Sequence, residues 1–161
     1  MFKLLLFLVL LPLVHSISFN FNCRNINVTA ERQNCAGYSS PSLPTACKKE
    51  LKCNRELDKC WTFETSDYTR DLASNCDYET LLDKKTSTFR QCYETMFKDQ
   101  NSNQASSYFW MFTLVKAENK CKFLDNYASL VIITISKNCE RTDVRTFKNH
   151  LAKQKKIFNC E

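Results

Sequence analysis

Apolar residues recur at three- and four-residue intervals through most of the chain, and this spacing is typical of one face of an α-helix. The first such pattern follows Thr45 and has charged residues between its members. Its positions at helical spacing are Cys47, Leu51, the polar Asn54, Leu57 and Trp61. A longer pattern follows Asp77, and its members are Leu81, Leu82, Phe89, Cys92, Tyr93, Met96 and Phe97. We therefore predict a helix after Thr45 and a longer helix that ends near Phe97, with Asp77 as its N-cap.

Two further helices are predicted in the last third of the chain. One begins at Cys121 and keeps helical spacing through Leu124, Tyr127, Ala128, Val131, Ile132 and Ile135. The last begins near Thr142 and places on one face Val144, Phe147, Leu151 and Phe158. Between the second and third patterns, the polar stretch 98–107 predicts a loop, and the aromatic run 108–112 fits either a buried helix or a short strand.

Glycine and proline are confined to the first third of the chain. Gly37 is the only glycine, and Pro44 is the last of three prolines. A β-sandwich or barrel of this length needs many tight turns, which usually draw on these two residues, so their distribution favours helices. We predict a mostly α fold: a disulfide-stapled bundle of about four to five helices, preceded by an extended N-terminal lead-in over residues 17–44.

The chain begins with the features of a signal peptide. Lys3 supplies a positive charge, the apolar run Leu4 to Leu11 follows, and Pro12 and Ser16 lie near the end of the segment. The run is far shorter than the ~20 residues of a membrane-spanning helix, and no later apolar run is longer. We predict a cleaved signal over residues 1–16, one domain over residues 17–161, and a secreted, extracellular protein without a membrane span.

All the cysteines follow the predicted signal, and their number is even: Cys23, Cys35, Cys47, Cys53, Cys60, Cys76, Cys92, Cys121, Cys139 and Cys160. In an exported chain this count predicts five disulfides, and the absence of C-x-x-C spacing argues against a metal site. Helix geometry excludes the neighbouring pair Cys53 and Cys60, which would lie ~10 Å apart, and the more distant pair Cys76 and Cys92. The same argument excludes a bond between Cys139 and Cys160, which lie at opposite ends of the last helix, ~25 Å apart. It predicts that Cys160 bonds to a cysteine of an earlier segment, and other pairings stay open.

One glycosylation site is predicted in the lead-in. Asn27, Val28 and Thr29 form the acceptor sequence for N-linked glycosylation, in the part of the chain that is richest in turn-forming residues. We therefore expect a glycan on Asn27.

Few side chains are suited to catalysis. Behind the signal, His150 is the only histidine, and we interpret it as a surface residue on the flank of the last helix. One glycine cannot form the loops that bind nucleotides. A secreted phospholipase A2 needs a histidine–aspartate pair and a glycine-rich calcium loop, and we expect neither in this chain. The acidic neighbours Asp67 with Asp71, and Asp77 with Glu79, fit helix caps better than a glycosidase pair. We expect no enzyme, no catalytic residue and no cofactor.

The formal net charge is +6, or +5 once Lys3 is removed. On the predicted last helix, the basic side chains lie within an arc of about 100°, away from the apolar face: Arg141, Arg145, Lys148, Lys155 and Lys156. A solvated exterior is the simpler interpretation, although such an arc also fits sulfated glycans or anionic lipid head groups. No nucleic-acid partner is expected.

Two functions remain open. The favoured one is a non-catalytic extracellular module that binds a protein or an anionic surface. The alternative is a carrier of a small apolar ligand, held between helices near the aromatic run around Trp110. Core packing is the favoured role of that run, because many phenylalanines have to be buried.

Three cysteine-bearing segments show a resemblance to a known family. They are CNRELDKCW from Cys53, CDYETLLDKKTSTFRQC from Cys76, and ISKNCERTDVRTFKNHLAKQKKIFNCE from Ile135. Their order resembles a nematode family of secreted cysteine-rich proteins, catalogued as domain of unknown function nineteen. Members often have a glycine where this chain has Glu140. The resemblance implies a secreted helical domain without a known activity, and it supplies no catalytic residue.

Overall fold

The computed structural model describes residues 21–36, 43–61, 64–83, 87–98, 108–109 and 111–160. These residues form six α-helices and no strand, which confirms the mostly α, disulfide-rich fold. The helices are α1 Val28–Ala36, α2 Leu43–Asp58, α3 Asp67–Leu82, α4 Phe89–Lys98, α5 Lys120–Asn138 and α6 Arg141–Ile157. None of the helices in these ranges is long and apolar enough to cross a membrane. The predicted signal and most of the predicted loop 98–107 lie outside them.

Helix α3 holds the bundle together, because it packs against α2 on one side and α6 on another. Helix α1 packs on α2, and α5 packs on α6. Helix α4 contacts α3, α5 and α6, and it closes the second half of the bundle. The groups α1–α3 and α4–α6 therefore meet mainly where α3 contacts α6.

The core between these helices is a cluster of aromatic rings. Tyr108 lies at its centre, with its ring centroid 5.3 Å from that of Phe123 and 5.5 Å from that of Phe147. Phe109 and Phe112 are also buried, so these three members of the aromatic run belong to the core. The described residues of the run are helical, which settles the choice between helix and strand for them. Trp110 lies outside the described residues.

The predicted helix from Asp77 to Phe97 is wrong, because two helices occupy this region. Helix α3 begins ten residues earlier, with Ser66 as its N-cap: the Ser66 hydroxyl accepts a hydrogen bond from the Thr69 backbone N–H at 3.3 Å. It ends at Leu82, where Asp83 adopts an extended backbone. Leu82 and Phe89 are seven positions apart, which is close to two turns of a helix, so the helical spacing continues across the break by coincidence. No apolar residue lies between them. Asp77 is therefore an interior residue of α3.

The lead-in is also more regular than the sequence predicts. Helix α1 lies within it, although Cys35 is the only buried residue of that helix. A helix without an apolar face leaves no periodic signal in the sequence, which explains why it was not predicted. At the end of the next predicted helix, α2 stops at Asp58, and Trp61 is 49% exposed rather than packed. The helices outnumber the predicted four to five for these two reasons, the added α1 and the division of the second helix.

All ten cysteines are paired, as predicted from their even number. The disulfides are Cys23–Cys60, Cys35–Cys53, Cys47–Cys76, Cys92–Cys139 and Cys121–Cys160. The prediction that Cys160 bonds to a segment before the last helix is confirmed. Two bonds join α1 to α2 and α2 to α3, and Cys23–Cys60 joins the residues before α1 to those after α2. The other two bonds join α4, α5 and the end of the chain. No disulfide crosses between these two groups, so the α3–α6 contact is held by non-covalent interactions alone.

Candidate functional site

A buried polar cluster lies where α3 meets α6. His150 on α6 donates a hydrogen bond from Nδ1 to Asp77 Oδ2 on α3, at 2.6 Å. Gln154, one turn further along α6, donates to the same oxygen at 3.0 Å and accepts from the Ser74 hydroxyl at 2.7 Å. Lys153 donates to the other carboxylate oxygen of Asp77 at 3.1 Å. Asp77 therefore accepts three hydrogen bonds from α6, and it is the centre of what we call the Asp77 cluster.

The Asp77 cluster corrects two interpretations made from the sequence. His150 is only 3% exposed, so it is a buried residue and not a surface histidine. A histidine–aspartate pair is also present, although the two residues are 73 positions apart and no sequence pattern connects them. The sequence contains one indication that His150 is buried: it lies at helical spacing from Phe147, Leu151 and Gln154, which are buried on the same helix.

The electrostatics of the cluster favour an ionised Asp77. Burial alone would raise the pKa of this carboxyl group, but the hydrogen bond and charge of His150, together with Lys153, hold the pKa below its ordinary value. A carboxylate can only accept hydrogen bonds, so Nδ1 of His150 carries the proton. The other ring nitrogen, Nε2, is buried and has no hydrogen-bond partner among the described residues.

This geometry supplies two parts of a hydrolase triad, and no third part is present among the described residues. In such a triad the histidine Nε2 receives a proton from a serine hydroxyl. Here the ring of His150 packs against Phe112 and Phe147, with centroid distances of 5.4 and 5.9 Å. Ser87 lines the same small cavity of about 210 Å³, but no hydrogen bond joins its hydroxyl to His150. Within the described residues, no hydroxyl or thiol group forms a hydrogen bond with Nε2 of His150, and the contacts of the Asp77 cluster join α3 to α6.

Lys120, at the first turn of α5, is a second unusual buried charge. Its ammonium group donates to the backbone carbonyl of Phe112 and lies 4.3 Å from the centre of the Phe112 ring. Burial lowers the pKa of Lys120, and the charge of Asp71 partly opposes this. Because the side chain is almost fully buried, Lys120 holds the end of the aromatic run against α5 and is not accessible to a substrate.

A groove of about 800 Å³ runs along α3 between α2 and α6. Apolar groups of all three helices line it, among them Leu51, Ala73, Ile157 and the Cys47–Cys76 disulfide. Five basic residues also line the groove: Lys48, Arg55, Arg70, Lys153 and Lys156. The carboxylates that line it are those of Glu64 and Asp77. The groove therefore combines apolar groups from three helices with positively charged side chains, and its volume is within the range of small-molecule sites.

Some of these cations are already neutralised. Arg70 forms an ion pair with Asp67 at 3.1 Å, and Lys153 forms one with Asp77. Among the described residues, no ion pair involves Lys48, Arg55 or Lys156. These three side chains remain available to an anionic ligand.

The basic arc of the last helix lies on the exposed side of α6. Arg141, Arg145 and Lys148 are exposed and have no ion pair in the described part of the chain. Lys155 pairs with Asp125 of α5 at 2.6 Å, so it contributes less to the surface field. Lys156 belongs to both the arc and the groove. The two basic areas thus share this residue.

The structure also places two other groups of candidate residues. Cys92, Cys139 and Asp143 approach one another, but the two sulfur atoms are joined in a disulfide and cannot act as thiolate ligands. Of the acidic pairs considered from the sequence, Asp67 lies in the first turn of α3, as expected for a residue at a helix start. Asp77 does not, as described above.

Asn27, the predicted glycosylation site, is exposed and precedes the first residue of α1. Its Oδ1 atom accepts a hydrogen bond from the backbone N–H of Ala30 at 3.1 Å, so the side chain caps the helix. An N-linked glycan is attached to Nδ2 and leaves Oδ1 available. The cap and the modification are therefore compatible.

A pair of substitutions separates the glycan from the cap. Thr29→Ala destroys the acceptor sequence and keeps the Asn27 cap, whereas Asn27→Gln removes both. In protein secreted from a eukaryotic host, we expect both variants to lack the mass of one glycan. Only Asn27→Gln should also lose about 1 kcal/mol of unfolding free energy through the lost cap. Intact mass and urea unfolding of the deglycosylated proteins measure the two effects, and an unmodified wild-type Asn27 would refute the prediction.

Comparison with known proteins gives no relative: no family model matches the chain, and neither a curated protein nor a solved structure matches it. The resemblance to the nematode family thus stays a prediction. One departure from that family has a structural consequence here. Glu140 is the N-cap of α6, and its backbone N–H donates to Asp143 Oδ2 at 3.2 Å.

Proposed function

We propose that this chain is a secreted, non-catalytic binding module, and that it contacts an extended anionic partner through the exposed basic side of α6. The observation that carries this proposal is the row of exposed cations Arg141, Arg145 and Lys148, which no carboxylate of the described residues neutralises. Membership of the nematode family is compatible with it, since that family is described as secreted and has no assigned activity.

The geometry of the row favours a linear polyanion. From Arg141 to Lys156 the helix rises ~22 Å, so its cations form a line along one edge of the molecule. Arginine side chains also bind oxyanions with two parallel hydrogen bonds, which a solvated lysine does not provide. A sulfated extracellular glycan carries its charges along a line of the same kind, and it is the partner class that this surface fits best.

Retention on immobilised heparin tests the proposal. The triple variant Arg141→Gln/Arg145→Gln/Lys148→Gln should elute at a clearly lower sodium chloride concentration than the wild type, because three of the contacting charges are lost. The matched control is Lys116→Gln/Lys122→Gln/Lys137→Gln, which removes three exposed charges from α5 and the segment before it. If both triple variants elute together, retention reflects net charge alone and the proposed surface is wrong.

A second candidate function is favoured by the groove beside α3. Its volume of about 800 Å³ and the apolar groups that line it suit a carrier of a small ligand. The buried aromatic run does not contribute to this site, because Tyr108, Phe109 and Phe112 are packed in the core. A carrier function would thus use a different part of the bundle from the one that the sequence indicated.

A further inference from the structure

We propose that the groove along α3 binds a single-chain amphiphile with an anionic carboxylate or phosphate head group. This inference rests on the second candidate function, the carrier, and adds the chemistry of the ligand. In the bound state, the hydrocarbon chain lies over Leu51, Ala73 and Ile157, and the head group contacts Arg55 and Arg70.

The groove has the form of a trough with helical walls. Helix α3 is its floor, from Arg70 to Thr80, which is a length of ~15 Å at 1.5 Å per residue. Helix α2 forms one wall, fixed to α3 by the Cys47–Cys76 disulfide. Helix α6 forms the other, fixed by the Asp77 cluster. Both walls are therefore anchored to the floor, so the groove is preformed and a ligand does not have to order it.

The walls and floor favour a hydrocarbon chain over a peptide. Apart from Glu64, Thr65 and Asn159, all lining residues belong to α2, α3 or α6, whose backbone groups are already used within the helices. An extended peptide would find few backbone partners there, and its own amide groups would lose water without compensation. A hydrocarbon chain has no amide groups and does not carry this cost.

The position of the head group follows from the direction of the helices. Since Cys47 is bonded to Cys76 and the two helices are antiparallel, Arg55 lies opposite the start of α3, beside Thr69 and Arg70. Two guanidinium groups thus meet at one end of the groove, and that of Arg55 has no ion-pair partner among the described residues. At the other end, Lys48 also has no ion pair among the described residues, and Lys153 is paired with Asp77. Arg70 is paired with Asp67 through one nitrogen only. We place the head group at the Arg55 end because a guanidinium group, unlike the ammonium group of Lys48, binds an oxyanion with two parallel hydrogen bonds. Glu64 also lines this end.

Fluorescence titration of the secreted, oxidised protein tests the inference. The probe is 11-(dansylamino)undecanoic acid, and its methyl ester serves as the neutral ligand with the same chain and fluorophore. We expect the acid to bind at least about tenfold more tightly than the ester, a difference of about 1.4 kcal/mol. Palmitate and a lysophosphatidic acid should each displace the acid, and the more effective of the two identifies carboxylate or phosphate as the preferred head group.

Two variants locate the bound ligand. Arg55→Gln/Arg70→Gln should weaken the acid about tenfold and leave the ester unchanged, while Leu51→Asp should weaken both. The control Lys122→Gln/Lys137→Gln removes two exposed charges from the outer side of α5 and should change neither. Circular dichroism and a count of free thiols show whether each variant is folded and oxidised.

Each outcome of the titration bears on a different claim. If acid and ester bind equally, or if the arginine variant binds the acid as the wild type does, the inference about the head group is wrong and the carrier function stands. If neither probe binds saturably, both the inference and the carrier function are wrong. Retention on heparin is independent of these results, so the first proposed function is tested separately.

Discussion

Replacing Cys160 with serine is expected to lower the free energy of unfolding by about 4 kcal/mol. The bond between Cys121 and Cys160 closes a segment of 39 residues, and in the chain-entropy account a loop of this length restricts the unfolded state by that amount. It also fixes the end of the chain: α6 stops at Ile157, and Phe158 packs in the core just before the bond. Without the bond, the last turn of α6 should fray and become open to proteases.

Urea unfolding and limited proteolysis measure these effects. The double variant Cys121→Ser/Cys160→Ser is the necessary control, because it removes the same bond without leaving a thiol that could exchange with other disulfides. Single and double variants should lose similar stability, and the first protease cut should fall near the end of α6. A double variant within about 1 kcal/mol of the wild type would show that packing alone holds the last helix.

The helices with continuous apolar faces were predictable from the sequence. Helix α5 begins one residue before the predicted Cys121, and α6 begins one residue before the predicted Thr142. Each is at least seventeen residues long, so its periodic pattern extends over several turns. In these two cases local sequence and tertiary packing favour the same structure, and the prediction succeeds.

The failures have different physical causes. Helix α1 lacks an apolar face, so no periodicity marks it. The early start of α3 depends on the Ser66 cap. This cap is held by a contact distant in sequence: the buried carboxylate of Asp58 accepts from the Ser66 hydroxyl at 2.8 Å and from its backbone N–H at 3.0 Å. Arg32 of α1 also donates to both residues. A cap that is positioned by three segments is invisible to a local pattern.

The candidate sites depend on the same kind of long-range information. The sequence shows which cations lie on α6, and the structure confirms that Arg141, Arg145 and Lys148 are exposed. The sequence does not show that α2 lies across α3. This packing creates the groove and brings Arg55 towards Arg70. The partner of His150 was hidden for the same reason, because contacts between helices are not encoded in the period of either one.

The pattern of disulfides gives the α3–α6 contact a special importance. Cross-links secure each half of the bundle, so the free energy that joins the halves comes from packing and from the Asp77 cluster. The groove depends on this contact as well, since α6 is one of its walls. A change at Asp77 should consequently affect both the stability of the bundle and the shape of the groove.

Substituting alanine for Asp77 is expected to cost about 3 kcal/mol of unfolding free energy near neutral pH. The variant leaves Nδ1 of His150 buried without an acceptor, and it also removes an acceptor from Gln154 and the ion-pair partner of Lys153. Asp77→Asn should cost less, because its side-chain oxygen still accepts from His150. Glu79→Ala, an exposed carboxylate on the same helix, is the control and should lie within about 0.5 kcal/mol of the wild type.

The cost of losing Asp77 should depend on pH in a defined direction. The pKa of Asp77 is lower in the folded protein than its ordinary value of 3.8, so folding favours the ionised carboxylate. Its contribution is complete well above pH 3.8 and is lost as the pH falls through the depressed pKa of the folded state. Glu50 and Asp71, whose pKa values burial raises, act in the opposite direction in wild type and variant alike, so the difference between the two proteins isolates Asp77. In urea unfolding at a series of pH values, the gap between wild type and Asp77→Ala should narrow below about pH 4. A gap that stays constant down to pH 2 would mean that the charge of Asp77 does not hold α3 against α6.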